Sequence, residues 1–334
     1  MSAITLLLVL IAMALLFDFL NGFNDSANVV ATIIASRAMS ARGALTLAAL
    51  ANLAGPFLFG VAVAETIGAE VADPRAISIA VVLAALFAAS LWDLATWYFG
   101  IPVSSSHALV GGIVGAAVTG SGFAAIQAQG LWKVAIALLV SPLLGFAVAL
   151  VVMQAMLWLL RNATPKANVA LSRAQVVTAT ALALSHGAND AQKTMGVIAM
   201  GLLTLGFTPV FVVPWWVVLL SASAIALGTA LGGWRIIRTL GTRFYRIHPI
   251  HGFTSQLASA AVILAASLAG GPVSTTQVVS MSILGAGAAE RKSQVRWLAV
   301  NEIFVAWALT LPATALLAVP IYYLIESILR HGGG

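Results

Sequence analysis

Apolar residues run along this chain in long blocks, separated by short polar or charged gaps. The blocks cover residues 4–20 continuing through 27–39, 43–64, 76–99, 103–118, 131–160, 174–185 continuing through 194–213, 215–233, 253–269, 273–288 and 297–325. About 20 apolar residues in helical form cross the ~30 Å hydrocarbon layer of a bilayer. Inside that layer every backbone N–H and C=O needs an internal partner, which leaves helices or closed barrels. A barrel would show short alternating strands. The pattern instead predicts an all-α polytopic membrane protein of about 10–12 membrane helices. The first run, Ile4 to Leu20, has no basic stretch before it and leads straight into polar residues. It reads as a retained helix, not a signal peptide.

Composition agrees. The chain is 61% hydrophobic and only 8% charged, with a mean hydropathy of +1.04, whereas about a quarter of a soluble domain is charged. The absence of cysteine excludes disulfides and thiol chemistry. The net charge of +6 does not indicate nucleic acid, because the Lys and Arg residues fall in the gaps, where they act as topology signals. Arg37 and Arg42 lie in one gap, and Arg161, Lys166 and Arg173 in another. Arg235, Arg238, Arg243 and Arg246 form a third cluster, and Arg291, Lys292 and Arg296 a fourth. Placing every cluster inside puts both termini outside, with 65–75 also outside. Residues 76–120 must then leave and return to the outer face, and 249–289 to the inner face. Each of these regions ends in a short arm, 103–118 or 273–288, which favours re-entrant hairpins.

The halves repeat each other. Gly22, Asn24 and Asp25 in "NGFNDSANVVAT" match Gly187, Asn189 and Asp190 in "SHGANDAQKTMG". "GIPVSSSH" at Gly100–His107 matches "GGPVSTTQ" at Gly270–Gln277, and Pro142 matches Pro312. The charge pattern gives the two copies opposite orientations, the plan of a secondary transporter. The expected organisation is a first inverted repeat over 1–160, a cytoplasmic linker over 161–173 and a second inverted repeat over 174–330.

An aspartate in the bilayer costs several kcal/mol unless paired or hydrated. Asp25 and Asp190 each sit in an apolar stretch beside a glycine and an amide, so both motifs are expected to break their helices. Free N–H groups at such a break favour an anion, while carboxylates, amides and carbonyls favour a small cation. The expected substrate-binding residues are Asn24, Asp25, Asn189, Asp190 and Lys193, with the hairpin hydroxyls Ser104, Ser105, Ser106, Ser274, Thr275 and Thr276. One hydroxyl in each run caps a helix; the surplus suits a tetrahedral oxyanion. The expected coupling-ion residues are Asn24, Asp25, Asn28, Asn189 and Asp190. Lys193 stands where the first repeat has Asn28. It either substitutes for a bound monovalent cation, contacts the anion, or pairs with Asp190. His186 and His107 are candidate proton carriers. Asp18 shares a helix face with Asp25, and Asp93 and Glu302 also fall within apolar runs. No catalytic residue and no resident metal is expected, since no nucleophile has a base placed beside it.

These four motifs together resemble the inorganic phosphate transporter family, the Pit-type phosphate–cation symporters, over essentially the whole chain. The resemblance implies two inverted repeats with broken helices and paired helical hairpins, and import of inorganic phosphate by alternating access around a midplane site. Sodium-coupled relatives carry Asn-Asp-Val-Ala-Asn in both halves; here the second half reads Asn-Asp-Ala-Gln-Lys. That departure resembles the bacterial branch, which implies coupling to protons, or neutral metal-phosphate as substrate, in a bacterial plasma membrane. The alternatives are a sulfate permease of the same fold and a sodium-coupled phosphate symporter. The expected partners are inorganic phosphate, the lipid bilayer and, as an allowed assembly, a homodimer. Besides the coupling cation, no cofactor is expected.

Overall fold

The long apolar runs fold as long helices, because only i to i−4 bonding satisfies a backbone held away from water. In the computed structural model, residues 2–74, 76–234, 236–237, 247–291 and 297–331 are described. The predicted charges Arg75, Arg235, Arg238, Arg243, Arg246, Lys292 and Arg296 lie outside the described residues, as does the side chain of Glu302.

Helix α1 spans Ala3–Ala35 and starts where the Ser2 hydroxyl accepts from the Thr5 amide. Helix α2 spans Ala41–Phe59, capped by Ser40, and ends at Gly60, whose φ of 80° stops the run predicted to reach residue 64. A single turn, α3 (Ala62–Glu65), continues into a π-helical turn over Thr66–Glu70. Helices α4 (Ile79–Phe99) and α5 (Ser105–Ser121) form the first hairpin. Helix α6 (Ala128–Leu159) closes the first half. Helix α7 spans Lys166–Thr204, so most of the expected linker 161–173 belongs to a helix. Then follow α8 (Trp215–Leu231), the second hairpin α9 (Pro249–Leu268) and α10 (Thr275–Arg291), and α11 (Trp297–His331). At 1.5 Å per residue, α5 and α10 are each about 26 Å long, short of a full crossing. No named strand occurs among the described residues; an isolated bridge joins Ala72 to Ile126.

Packing pairs the halves crosswise. Helix α1 lies on α8 and α2 lies on α7, while α5 packs on α11 and α10 on α6. Two apolar cores result. One takes Leu10, Ala14 and Phe17 from α1 and Met195 and Ile198 from α7, with α4 and α5. The other takes Val29, Val30 and Ile33 from α1 and Leu182 and Ala183 from α7, with α2, α9 and α10. The polar stretches of α1 and α7 fall between these cores, deep in the molecule. The outer surface keeps large apolar side chains such as Leu50, Leu139, Val177, Leu227 and Leu316 exposed, as a lipid-facing surface requires. The chain is a multi-pass membrane protein: six described helices are long and apolar enough to cross a bilayer.

Candidate transport site between the halves

Both Asn-Asp motifs lie on unbroken helix, contrary to the expected backbone breaks. The glycines serve a different purpose. A Cβ on Gly22 would stand 2.2 Å from the Ile225 carbonyl oxygen of α8, and one on Gly187 would stand 2.4 Å from the Asn52 carbonyl oxygen of α2. Each glycine lets two helix backbones touch, the usual role of small residues between membrane helices. The interruptions fall in the hairpins instead. Gly100 and Gly270 adopt left-handed φ of 67° and 71°, and Pro102 and Pro272 lie in the non-helical segments that follow.

The two hairpin tips meet. The Ser106 hydroxyl, at the start of α5, donates to the Val273 carbonyl at 2.8 Å. Asn189 fastens the second tip: its amide donates to the Ser267 hydroxyl at 2.8 Å and the Gly271 carbonyl at 3.2 Å, and its Oδ1 accepts from the Val273 N–H at 3.3 Å. Both amide hydrogens of Asn189 are thereby committed to the hairpin. Ser104 and Ser274 act as caps, accepting from the His107 and Gln277 amides at 3.1 and 3.3 Å.

This scaffold brings Asp25 and Asp190 together. The Thr275 hydroxyl lies 3.2 Å from Asp25 Oδ2 and 3.1 Å from Asp190 Oδ2. Thr276 donates to Asp25 Oδ1 at 2.9 Å and accepts from the Asn28 amide at 2.9 Å. Lys193, fully buried, places Nζ 2.6 Å from Asp190 Oδ1. Of the three roles open to this lysine, the structure shows the pairing with Asp190. Asn24 donates to the Asp93 carbonyl at 3.1 Å and leaves its own Oδ1 without a partner. Asn24, Asp25, Asp93, Ser105 and Thr276 line a narrow cavity of about 10 Å³, the room of one ordered water. The site is therefore closed in this conformation.

His186, a candidate proton carrier from its position in the motif, faces both carboxylates. Its Nε2 stands 3.3 Å from Asp190 Oδ2 and 3.8 Å from Asp25 Oδ2. Its Nδ1 lies 3.1 Å from Asn52 Oδ1, while the Asn52 amide donates to Thr229 at 2.8 Å. Because the amide nitrogen of Asn52 is already donating, its oxygen faces the ring, which assigns a proton to His186 Nδ1. Donor atoms of Asp25, His186 and Asp190 all lie within 4.8 Å of one another, near enough to share one small cation. Asn52 and Thr229 support His186 through pairings that span 134 and 177 positions of the chain, beyond the reach of any sequence motif. His107 lies apart from the carboxylates, its Nδ1 2.7 Å from Ser104 Oγ.

Two carboxylates from opposite halves are bridged by one hairpin hydroxyl, and the chain's relatives decide the family. The sequence profile of the Phosphate transporter family matches residues 21–318. The chain belongs to this family. A "Probable low-affinity inorganic phosphate transporter" of Rhizobium meliloti (strain 1021) is 45% identical over 328 residues, which cover 98% of each chain. A protein of the same description in Bacillus subtilis (strain 168) is 41% identical over 329 residues, 97% of this chain and 98% of that one. A solved structure titled "The sodium-dependent phosphate transporter" superposes with a TM-score of 0.88 at 24% identity, covering 97% of this chain and 100% of that one. The fold is thus that of a phosphate transporter, and members of this family are transporters, not enzymes.

Proposed function

We propose that the chain is a secondary active symporter that imports inorganic phosphate with protons, by alternating access around the Asp25–Asp190 site. The observation that carries this reading is the meeting of Asp25 and Asp190 at the Thr275 hydroxyl, deep between two apolar cores. The matched motifs supply α1 with α7 and hairpin α4–α5 with hairpin α9–α10, and the crosswise packing supports two inverted repeats, 1–160 and 174–330, around one site. Each hairpin would then gate one face of the bacterial plasma membrane, with the N-terminus outside.

A phosphate that still carries a proton can donate to a carboxylate, and sulfate at neutral pH cannot. Carboxylates facing the anion therefore favour phosphate over sulfate. Asp25, Asp190, Ser105 and Thr276 are the groups that would face the anion, with Lys193 supplying fixed positive charge. Asn28 orients Thr276, and Asn189 holds the hairpin. Lys193 occupies the position of Asn28 in the second repeat and its ammonium pairs with Asp190, supplying the positive charge a sodium ion would bring there, which favours protons over sodium. His186, with its Nε2 facing both carboxylates, ties Asp25 and Asp190 to the Asn52–Thr229 pair.

Phosphate uptake into proteoliposomes, with proton, sodium and divalent-metal gradients imposed separately, tests the reading. Accumulation is expected with the proton gradient alone. Accumulation that follows sodium alone, or that sulfate suppresses as well as phosphate does, overturns it.

A further inference from the structure

One buried carboxylate takes no part in the site described above. Asp18 lies on α1, two turns before Asp25, and is fully buried. Neither of its oxygens has a hydrogen-bond partner. The Thr194 hydroxyl of α7, also fully buried, faces it without completing a hydrogen bond and has no other partner. Asn21, one turn along α1 on a neighbouring part of the same face, is buried with both amide atoms unpartnered. An ionised carboxylate left unpaired in such a place is strongly disfavoured.

We infer that Asp18, with Thr194 and Asn21, is the binding site of the coupling proton, separate from the phosphate site and linked to it through Lys193. The inference rests on the symport reading above and names the residue that carries its cation. Asp18 takes one proton on a carboxylate oxygen from one face and returns it to the other. The neutral acid has an O–H to donate, and Thr194 and Asn21 offer oxygens to receive it. A metal ion is disfavoured because Lys193, the residue before Thr194, already places a full positive charge within electrostatic reach of Asp18.

Lys193 also supplies the coupling. Its ammonium acts on Asp18, Asp25, Asp93 and Asp190. When Asp18 is neutral, more of that field is left for an arriving anion. Proton and phosphate therefore favour each other's binding, and the effect is reciprocal. The charged groups around Asp18 come from α7, as Lys193 and Asp190. Helix α8 has no titratable side chain, and the charges that act on Asp93 of α4 are Asp25, Lys193 and Asp190, not Asp18.

The test uses the full chain in proteoliposomes, as wild type, Asp18→Asn and Asp18→Glu. Phosphate/phosphate exchange without a pH gradient reports the phosphate site; accumulation against a pH gradient reports coupling. Wild type should accumulate phosphate by up to about tenfold per proton for each pH unit imposed. Asp18→Asn should exchange phosphate but accumulate none, and its exchange should lose the wild-type rise towards acid pH. Asp18→Glu should restore both. The infrared spectrum of Asp18→Asn should lack one protonated-carboxyl carbonyl stretch that wild type and Asp18→Glu both show. Normal accumulation by Asp18→Asn overturns the inference, as does loss of its exchange, which would make Asp18 part of the phosphate site or of the fold. Accumulation driven by sodium and abolished in Asp18→Asn also overturns it. Wild type that exchanges no phosphate at all would instead sink the broader reading of function.

Discussion

Lys193 is the residue on which the charge balance of the interior turns. Four buried carboxylates, Asp18, Asp25, Asp93 and Asp190, share the region with this one ammonium, and Nζ sits 2.6 Å from Asp190. Removing one partner of a buried ion pair leaves an uncompensated charge and costs about 3–5 kcal/mol. Lys193→Ala is therefore expected to lower the thermal midpoint of the purified protein sharply, and Lys193→Ala with Asp190→Asn to recover most of the loss. A double variant as unstable as the single one would contradict the pairing. Lys193→Asn copies the first repeat's Asn28 and is expected to make phosphate uptake respond to sodium. Asp25 has a different exposure to risk, because it accepts from Thr275 and Thr276 and lines the cavity. Hydrogen bonds to charged groups contribute about 1.5–3 kcal/mol each. Asp25→Asn should thus reduce phosphate affinity by roughly 10- to 100-fold, measured as exchange against phosphate concentration, with insertion unchanged.

At the scale of elements, the molecule depends on where helices touch and where they stop. Gly22 and Gly187 sit at equivalent crossings, α1 on α8 and α7 on α2. A valine at either place must push the helices apart, at about 1–3 kcal/mol for an overpacked contact. Gly22→Val and Gly187→Val should each lower the thermal midpoint, and Leu227→Val, at an exposed position of α8, should not. The hairpins were legible in the sequence, because Gly-x-Pro-Val followed by hydroxyls both stops one helix and caps the next. The paired carboxylates were legible too, since duplicated acidic motifs in apolar runs need a partner. The supposed breaks at Asn-Asp were a misreading with a physical reason. A glycine beside polar residues looks the same in sequence whether it frees the backbone or admits a neighbouring helix, and only the position of Ile225 and Asn52 separates the two. The His186–Asn52–Thr229 chain was not legible at all, because it joins residues 134 and 177 positions apart through side-chain geometry. Asn52→Leu should remove the acceptor that orients His186 and shift the pH profile of exchange, more than it slows exchange at the optimum.

For the whole molecule, the closed cavity is the feature with the largest consequence. Its volume of about 10 Å³ cannot admit a phosphate ion, so the site has to open before the anion enters, and the proposed alternating access assigns that opening to the two hairpins in turn. The tip contact from Ser106 to Val273 and the caps around it hold the present state. Ser105 lies beside this contact and lines the cavity, and the natural chain contains no cysteine. Ser105→Cys therefore creates the sole thiol, and its reactivity reports access without interference. In membranes of fixed orientation, a charged thiol reagent should modify it from either face, though not through a continuous pore. Saturating phosphate together with a proton gradient should change the rate from one face in the opposite sense to the rate from the other. A membrane-impermeant reagent that reached Cys from both faces at rates rising and falling together would describe a channel. Reaction from one face only, under every gradient, would mean that just one hairpin moves. Opposed rates are what two inverted gates around one buried site require.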